Sequence, residues 1–129
     1  MKNFIVVDAA MNDLLRPSLY DAYHEILPVD PCESDDLKAV DVVGPVCETG
    51  DILGESRYLP FSENLSGLFV VKDCGAYGAT MSSNYNSRPF ATEVFVESGK
   101  VRVIRERQSV EEIWAPERKQ LDSSWEEIK

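Results

Sequence analysis

Histidine is almost missing from this chain: His24 is the only one in 129 residues. A Ser-His-Asp relay would have to be built on it, yet no serine stands in a G-x-S-x-G elbow. Cysteine is scarce as well. Cys32, Cys47 and Cys74 are an odd number without a C-x-x-C spacing, so they do not read as a disulfide framework. With one histidine they match no zinc pattern either. Glycine-rich phosphate loops of the G-x-G-x-x-G or P-loop kind are absent. No apolar run approaches the ~18 residues that a membrane-spanning helix needs. Positive charge is in deficit: 13 Lys and Arg stand against 23 Asp and Glu, a net charge of −10. That balance argues against a nucleic-acid backbone or an anionic membrane as partner. The first residues, Met-Lys-Asn-Phe-Ile-Val-Val-Asp, place an acid where the apolar core of an export signal would continue. A reducing cytoplasm is therefore the expected compartment.

What remains is an ordinary globular composition, 43% hydrophobic, of a length that suits one domain. Short β-branched runs dominate. Phe4–Val7, Val40–Val43 and Leu68–Val71 read as strands, and Leu19–Val29 fits a strand better than a helix. Pro17 limits any helix around Leu14–Pro17 to a short turn. Residues 52–59 read as irregular, 30–38 and 61–67 as loops, and 81–89 as a polar, turn-rich stretch. Glu93–Glu97 and Lys100–Arg105 flank Ser98-Gly99 as the clearest hairpin. Ser109-Val110-Glu111-Glu112 is a capping-box pattern that opens a short helix, with Pro116 expected to stop it. The charged tail 117–129 is expected to be poorly ordered, with Ser123 and Ser124 placed to cap one more helical turn. Many short strands and one or two short helices predict an all-β, mainly antiparallel barrel or sandwich over residues 1–116.

Three places carry reactive chemistry. In Val43-Gly44-Pro45-Val46-Cys47-Glu48-Thr49-Gly50-Asp51 a strand ends at Gly-Pro, and a turn signature, Thr-Gly-Asp, closes the segment. A thiol can move a proton near neutral pH if its surroundings tune it, and a carboxylate can hold a substrate ammonium. The plainer alternative is a hairpin turn with an incidental cysteine. Arg16 and Tyr20, taken as an extended segment, share a face, so guanidinium and phenol can converge on one anion. The alternative for Arg16 is a solvated surface residue. Tyr77, flanked by Gly75, Ala76 and Gly78, can meet a planar ligand, or else is a core tyrosine where strands cross.

Taken together, these segments carry a resemblance. Val6-Val7-Asp8-Ala9-Ala10-Met11-Asn12-Asp13-Leu14-Leu15-Arg16-Pro17-Ser18-Leu19-Tyr20, the Val43–Asp51 stretch, and Gly75-Ala76-Tyr77-Gly78 running into Ser83-Asn84-Tyr85-Asn86-Ser87-Arg88-Pro89 resemble, in order and spacing, the C-terminal β domain of the diaminopimelate decarboxylases. The likeness covers residues 3 to about 115. Ornithine and arginine decarboxylases share the Gly-Pro-x-Cys element, whereas the Asn-Asp-Leu-x-Arg-Pro and Ser-Asn-Tyr-Asn segments are those of the diaminopimelate branch. Thr49 departs from the usual serine but keeps a hydroxyl. Cys32-Glu33-Ser34 mimics the Cys-Glu pair without its Gly-Pro lead.

The resemblance implies a pyridoxal 5'-phosphate enzyme that joins a (β/α)8 barrel to this β domain, acting as a homodimer on an amino-acid substrate in lysine biosynthesis. It implies that Arg16 and Tyr20 bind the substrate carboxylate and nearby polar groups, and that Tyr77 contacts cofactor and substrate. It further implies that Cys47 and Glu48 enter the partner subunit's site, Cys47 as proton donor and Glu48 as ligand of the distal amine. The barrel and its Schiff-base lysine have no counterpart in these 129 residues, so the chain alone is expected to bind the cofactor weakly and not to decarboxylate. A sheet edge that a strand from elsewhere in the full protein would cover is expected to be bare. Two other functions stay open: a non-enzymatic β-domain interaction or dimerisation protein that binds a decarboxylase or another partner, and the same domain of another basic amino-acid decarboxylase.

Overall fold

The computed structural model describes residues 2–30, 37–61 and 67–121. Of the loops expected at 30–38 and 61–67 and the tail expected from 117, residues 31–36, with Cys32-Glu33-Ser34, 62–66 and 122–129, with the cap at Ser123 and Ser124, lie outside the described residues; Leu37 and Lys38 belong instead to a strand, and residues 117–121 to a helix. The chain forms two units, residues 1–82 and 83–129. Strands outweigh helices, and the ladders form three small sheets.

The first unit is built on β3 (Leu37–Val43). It pairs parallel with β1 (Asn3–Val6), in register Asn3 to Val40 and Val6 to Val43, and antiparallel with β4 (Ile52–Pro60). β1 is thus an outer strand of this sheet, with Phe4 and Val6 exposed. A second, two-stranded ladder joins β2 (Ile26–Pro28) to β5 (Phe69–Val71). Val40 and Val42 alternate inward along β3 and meet Ile5, Leu14, Ile26, Leu53 and Leu59 in one apolar cluster. Each is at least nine-tenths buried, which stabilises the fold by roughly 1.5–3 kcal/mol per side chain.

Residues 52–59 are not irregular, as the sequence suggested; they are the longest strand. The period-2 pattern is hidden by a bulge. Val40 faces Arg57 and Val42 faces Gly54, so Glu55 and Ser56 together oppose Asp41. Ser56 adopts a left-handed conformation, φ 51°, and its N–H donates to the buried Asp41 carboxylate at 2.8 Å. Lys2 closes on the same carboxylate at 2.5 Å. Lys2 first, then Ser56, hold Asp41 below its ordinary carboxylate range.

The single strand expected over 19–29 is also corrected. Residues Arg16–Tyr20 form a five-residue helix, α1, with Pro17 in its first turn, and only Ile26–Pro28 are extended. The helix is short, as expected around Pro17, and the proline is tolerated in its first turn because the N–H groups there have no intrahelical acceptor to lose. Asp21, at φ 53°, ends it in the left-handed conformation. The buried His24 donates from Nδ1 to the Lys72 carbonyl at 3.0 Å, between the segments that become β2 and β5. Gly75–Met81 form a second helix, α2.

In the second unit the hairpin is as read: β6 (Glu93–Glu97) pairs with β7 (Lys100–Arg105), and Ser98 and Gly99 both take positive φ, 49° and 73°. Gln108 fastens the preceding loop. Its Oε1 accepts from Asn84 Nδ2 at 2.6 Å and from the Phe90 N–H at 3.1 Å. The capping box forms reciprocally, Ser109 N–H to Glu112 Oε2 at 2.6 Å and Glu112 N–H to Ser109 Oγ at 3.2 Å. Pro116 does not stop α3, which runs Val110–Leu121 with the proline inside. The Arg118 guanidinium lies over the Trp114 ring at 5.1 Å, an i, i+4 contact across the proline, and Arg118 and Lys119 complement the negative C-terminal end of the helix.

Candidate active site

The turn from Gly44 to Asp51 is fixed from beneath. Asp51 is 3% exposed, and its two oxygens accept from different segments: Oδ2 from the Val46 N–H at 2.8 Å, Oδ1 from the Met11 N–H at 2.7 Å. Backbone bonds complete the turn, Gly44 N–H to the Asp51 carbonyl at 3.1 Å and Asp51 N–H to the Glu48 carbonyl at 3.2 Å. Gly44 stands where it does for space, not for an unusual φ. A Cβ there would lie 2.6 Å from Asp51 Oδ1 and 2.7 Å from its Cγ. Val46 turns inward and is buried, while Cys47, Glu48 and Thr49 are exposed. The Glu48 carboxylate is oriented by its own loop, with Oε1 accepting from the Thr49 hydroxyl and the Gly50 N–H, each at 3.2 Å. The hydroxyl of Thr49 is therefore used, and serine would serve equally.

Arg16 and Tyr20 sit on α1 rather than on an extended segment. They still share a face, since i and i+4 are one helical turn apart. Ser18, between them, donates from Oγ to the Gly50 carbonyl at 2.5 Å and so ties α1 to the turn. Tyr77 lies on α2 and is 64% exposed, which removes the reading of it as a core residue. The Arg16 guanidinium stands over its ring at 5.6 Å. The small residue beside Tyr77 has a packing reason: a Cβ on Gly78 would meet Cys74 Cβ at 3.3 Å and the Leu14 side chain at 4.0 Å, so α2 rests closely on the core. Gly75, by contrast, has open space around it and takes φ 49°.

The two described thiols differ. Cys47 is exposed. Cys74 is half-buried and donates to the Val71 carbonyl at 3.4 Å, and burial first, then Asp73, push its thiol up from the ordinary value of 9.0. A cleft of about 550 Å³ lies behind α1, between residues such as Pro17, Ser18, Gly50, Gly54 and Arg57. Cys47, Glu48, Arg16 and Tyr77 do not line it; Cys47, Glu48 and Tyr77 are exposed, and Arg16 is partly buried.

Sequence reasoning missed Asp51, Gly44 and Ser18 as working parts. The available signal was the acid that closes Thr-Gly-Asp, because a carboxylate in a tight turn seeks backbone N–H groups. As to a phosphorylated aromatic cofactor, the residues fit in part. A guanidinium beside an exposed phenol offers charge and a hydroxyl to a phosphate. Lys72, the described lysine next in sequence to α2, is already engaged with Glu25 at 2.7 Å.

Residues 1–75 match the family described as pyridoxal-dependent decarboxylase, C-terminal sheet domain. The chain belongs to this family. A diaminopimelate decarboxylase of Neisseria meningitidis serogroup A is 51% identical over 116 residues, 90% of this chain and 28% of that protein. The enzyme of that name from Zymomonas mobilis is 52% identical, again over 90% of this chain and 27% of its own length. A crystal structure of diaminopimelate decarboxylase from Helicobacter pylori complexed with L-lysine superimposes with a TM-score of 0.83 at 44% identity, covering 92% of this chain and 29% of that one. The chain thus spans little more than a quarter of these relatives and corresponds to their sheet domain. No helix among the described residues of this sheet domain is long and apolar enough to cross a membrane.

Proposed function

We propose that this chain is the C-terminal sheet domain of a cytoplasmic, pyridoxal 5'-phosphate-dependent diaminopimelate decarboxylase, which converts meso-2,6-diaminopimelate to L-lysine and CO2 as a homodimer or in pairing with a separate barrel domain. The observation that carries the reading is the exposed Cys47–Glu48 pair on a turn anchored by a buried carboxylate, beside a helix that presents Arg16, in a chain about half identical to diaminopimelate decarboxylases. The barrel-like closure of the sheets belongs to this proposal as well.

The cofactor, when bound, supplies the electron sink for the pair of electrons left on the substrate carbon as CO2 departs. This chain's residues bind, orient and deliver a proton. Arg16 takes a substrate carboxylate through paired N–H donors, and Tyr20, one turn on, adds a phenol to the same end. Tyr77 contacts the cofactor near its phosphate and bounds the substrate, with the Arg16 guanidinium resting over its ring. Glu48, turned by Thr49 and Gly50, holds the distal ammonium in the neighbouring subunit's site. Cys47 gives its Sγ proton to the carbon that lost CO2 and regains one from water.

The test mixes this chain with a separately made barrel domain and follows CO2 release from diaminopimelate, lysine and ornithine. Activity on diaminopimelate alone is expected, lowered on the order of 10²-fold by Cys47→Ala, the lower end for loss of an acid–base group. Glu48→Gln should raise KM more than it lowers kcat. Absence of CO2 at every mixing ratio, or undiminished activity in Cys47→Ala, overturns the reading.

A further inference from the structure

One buried carboxylate touches both halves of the proposed substrate surface. Asp51 Oδ2 holds the N–H of Val46, the residue before Cys47. Its Oδ1 holds the N–H of Met11, 40 residues earlier. Met11 opens the segment that runs through buried Asn12 and Leu14 into α1, which carries Arg16 and Tyr20. Ser18 on α1 then returns to the turn at the Gly50 carbonyl, next to Asp51. Turn and helix are therefore closed into a ring by two side chains. A carboxylate suits the junction because its two oxygens accept from two segments at once. At 3% exposure, water has little room to take its place. Gly44 leaves the space those oxygens occupy.

We infer that Asp51 is a positioning residue that fixes the Cys47–Glu48 turn and the Arg16–Tyr20 helix as one unit. The inference rests on the function proposed above. On that reading the two sets of groups serve different active sites of a dimer, and one carboxylate places groups for both.

The test is amide hydrogen exchange by NMR on the full chain, wild type, Asp51→Asn and Asp51→Ala, with circular dichroism as the check on folding. In the wild type, Met11 and Val46 amides are both protected. In Asp51→Ala, which keeps no acceptor, both lose protection at least tenfold; in Asp51→Asn, which keeps one acceptor oxygen and puts an amide NH2 in place of the other, at least one of them does. In Asp51→Ala, loss at only one of the two amides, or at neither, overturns the inference and leaves Asp51 as a local turn residue. If the variants do not fold, the wild type still decides: unprotected Met11 or Val46 amides in the folded chain overturn it, and protection of both supports it. In the mixture with the barrel domain, Asp51→Asn raises KM for diaminopimelate; a fall in kcat alone, in proportion to the folded fraction, counts against positioning. Exchange as expected with no CO2 release in any mixture overturns the proposed function and leaves the tie between turn and helix standing.

Discussion

Gly44→Ala tests the turn with a single methyl group. The φ of Gly44 is not positive, so alanine meets no backbone penalty there. Its Cβ would instead lie 2.6 Å from Asp51 Oδ1 and 2.7 Å from Cγ, and the carboxylate has to leave. Leaving breaks two bonds to a charged acceptor, from Val46 and Met11. Hydrogen bonds to charged groups contribute roughly 1.5–3 kcal/mol each, so complete loss would cost about 3–6 kcal/mol. Backbone relaxation recovers a part, and the expected destabilisation is about 3 kcal/mol. Asp51→Ala removes the same two bonds and is expected to cost about as much. The informative variant is the double one. With the carboxylate gone, the methyl group has its space, so Gly44→Ala should add little to Asp51→Ala. The cycle then yields a coupling of about 3 kcal/mol, against the ~0.5 kcal/mol scatter of independent sites. Urea unfolding at constant m-value is the assay. Costs that add within that scatter, or a Gly44→Ala chain as stable as the wild type, would refute the argument that glycine precedes proline here to admit Asp51.

Three further outcomes are expected. Asp41 is held below its ordinary value of 3.8 by Lys2 and the Ser56 N–H, so its contribution is present above that value and is lost as pH falls through the depressed one. Asp41→Asn should therefore be less stable than wild type at pH 7 by about 1–3 kcal/mol, with the gap closing as acid protonates the wild-type carboxylate; an equal gap at pH 7 and in strong acid would count against this. Iodoacetamide at pH 7.5 should modify exposed Cys47 well before Cys74, whose thiol burial pushes up, as read by peptide mass spectrometry; faster labelling of Cys74 contradicts the assignment. Ser18→Ala, which removes the 2.5 Å bond to Gly50, should cost about 0.5–1.5 kcal/mol in urea unfolding and leave the helical circular dichroism unchanged.

Which elements were legible follows from how local their causes are. The β6–β7 hairpin and the capping box at Ser109 were readable because turn and cap residues act within four positions. β4 was not, because the bulge at Glu55 and Ser56 breaks the alternation that marks a strand, and the acceptor that stabilises it, Asp41, is 15 residues away. α1 escaped because five residues with a proline offer no helical period to detect. Pro116 misled for a related reason: the missing N–H is a local loss, while the Trp114–Arg118 contact that spans it belongs to the folded helix. At the candidate site, Cys47, Glu48, Arg16, Tyr20 and Tyr77 stood out as candidates by residue type and by family pattern. Asp51 was visible only as a turn residue, since its role depends on Met11, far away in sequence.

On the function proposed above, the placement of Cys47 gives a reason for such a residue. A thiol that must reach a substrate outside its own fold cannot be immobilised by packing, because packing would bury the sulfur and, as at Cys74, push its proton affinity up. Holding the side chain by hydrogen bonds would occupy the group that has to react. What remains is to hold the backbone and leave the side chain bare. The turn does this at the residue before the thiol: Val46 packs inward, and its N–H is fixed by Asp51. Glu48 follows the same logic with its backbone, its N–H bonding to the Val46 carbonyl at 2.8 Å while Thr49 and Gly50 steer one carboxylate oxygen. Backbone bonds thus hold the turn one residue upstream and several downstream of the Cys47 side chain, which itself stays exposed.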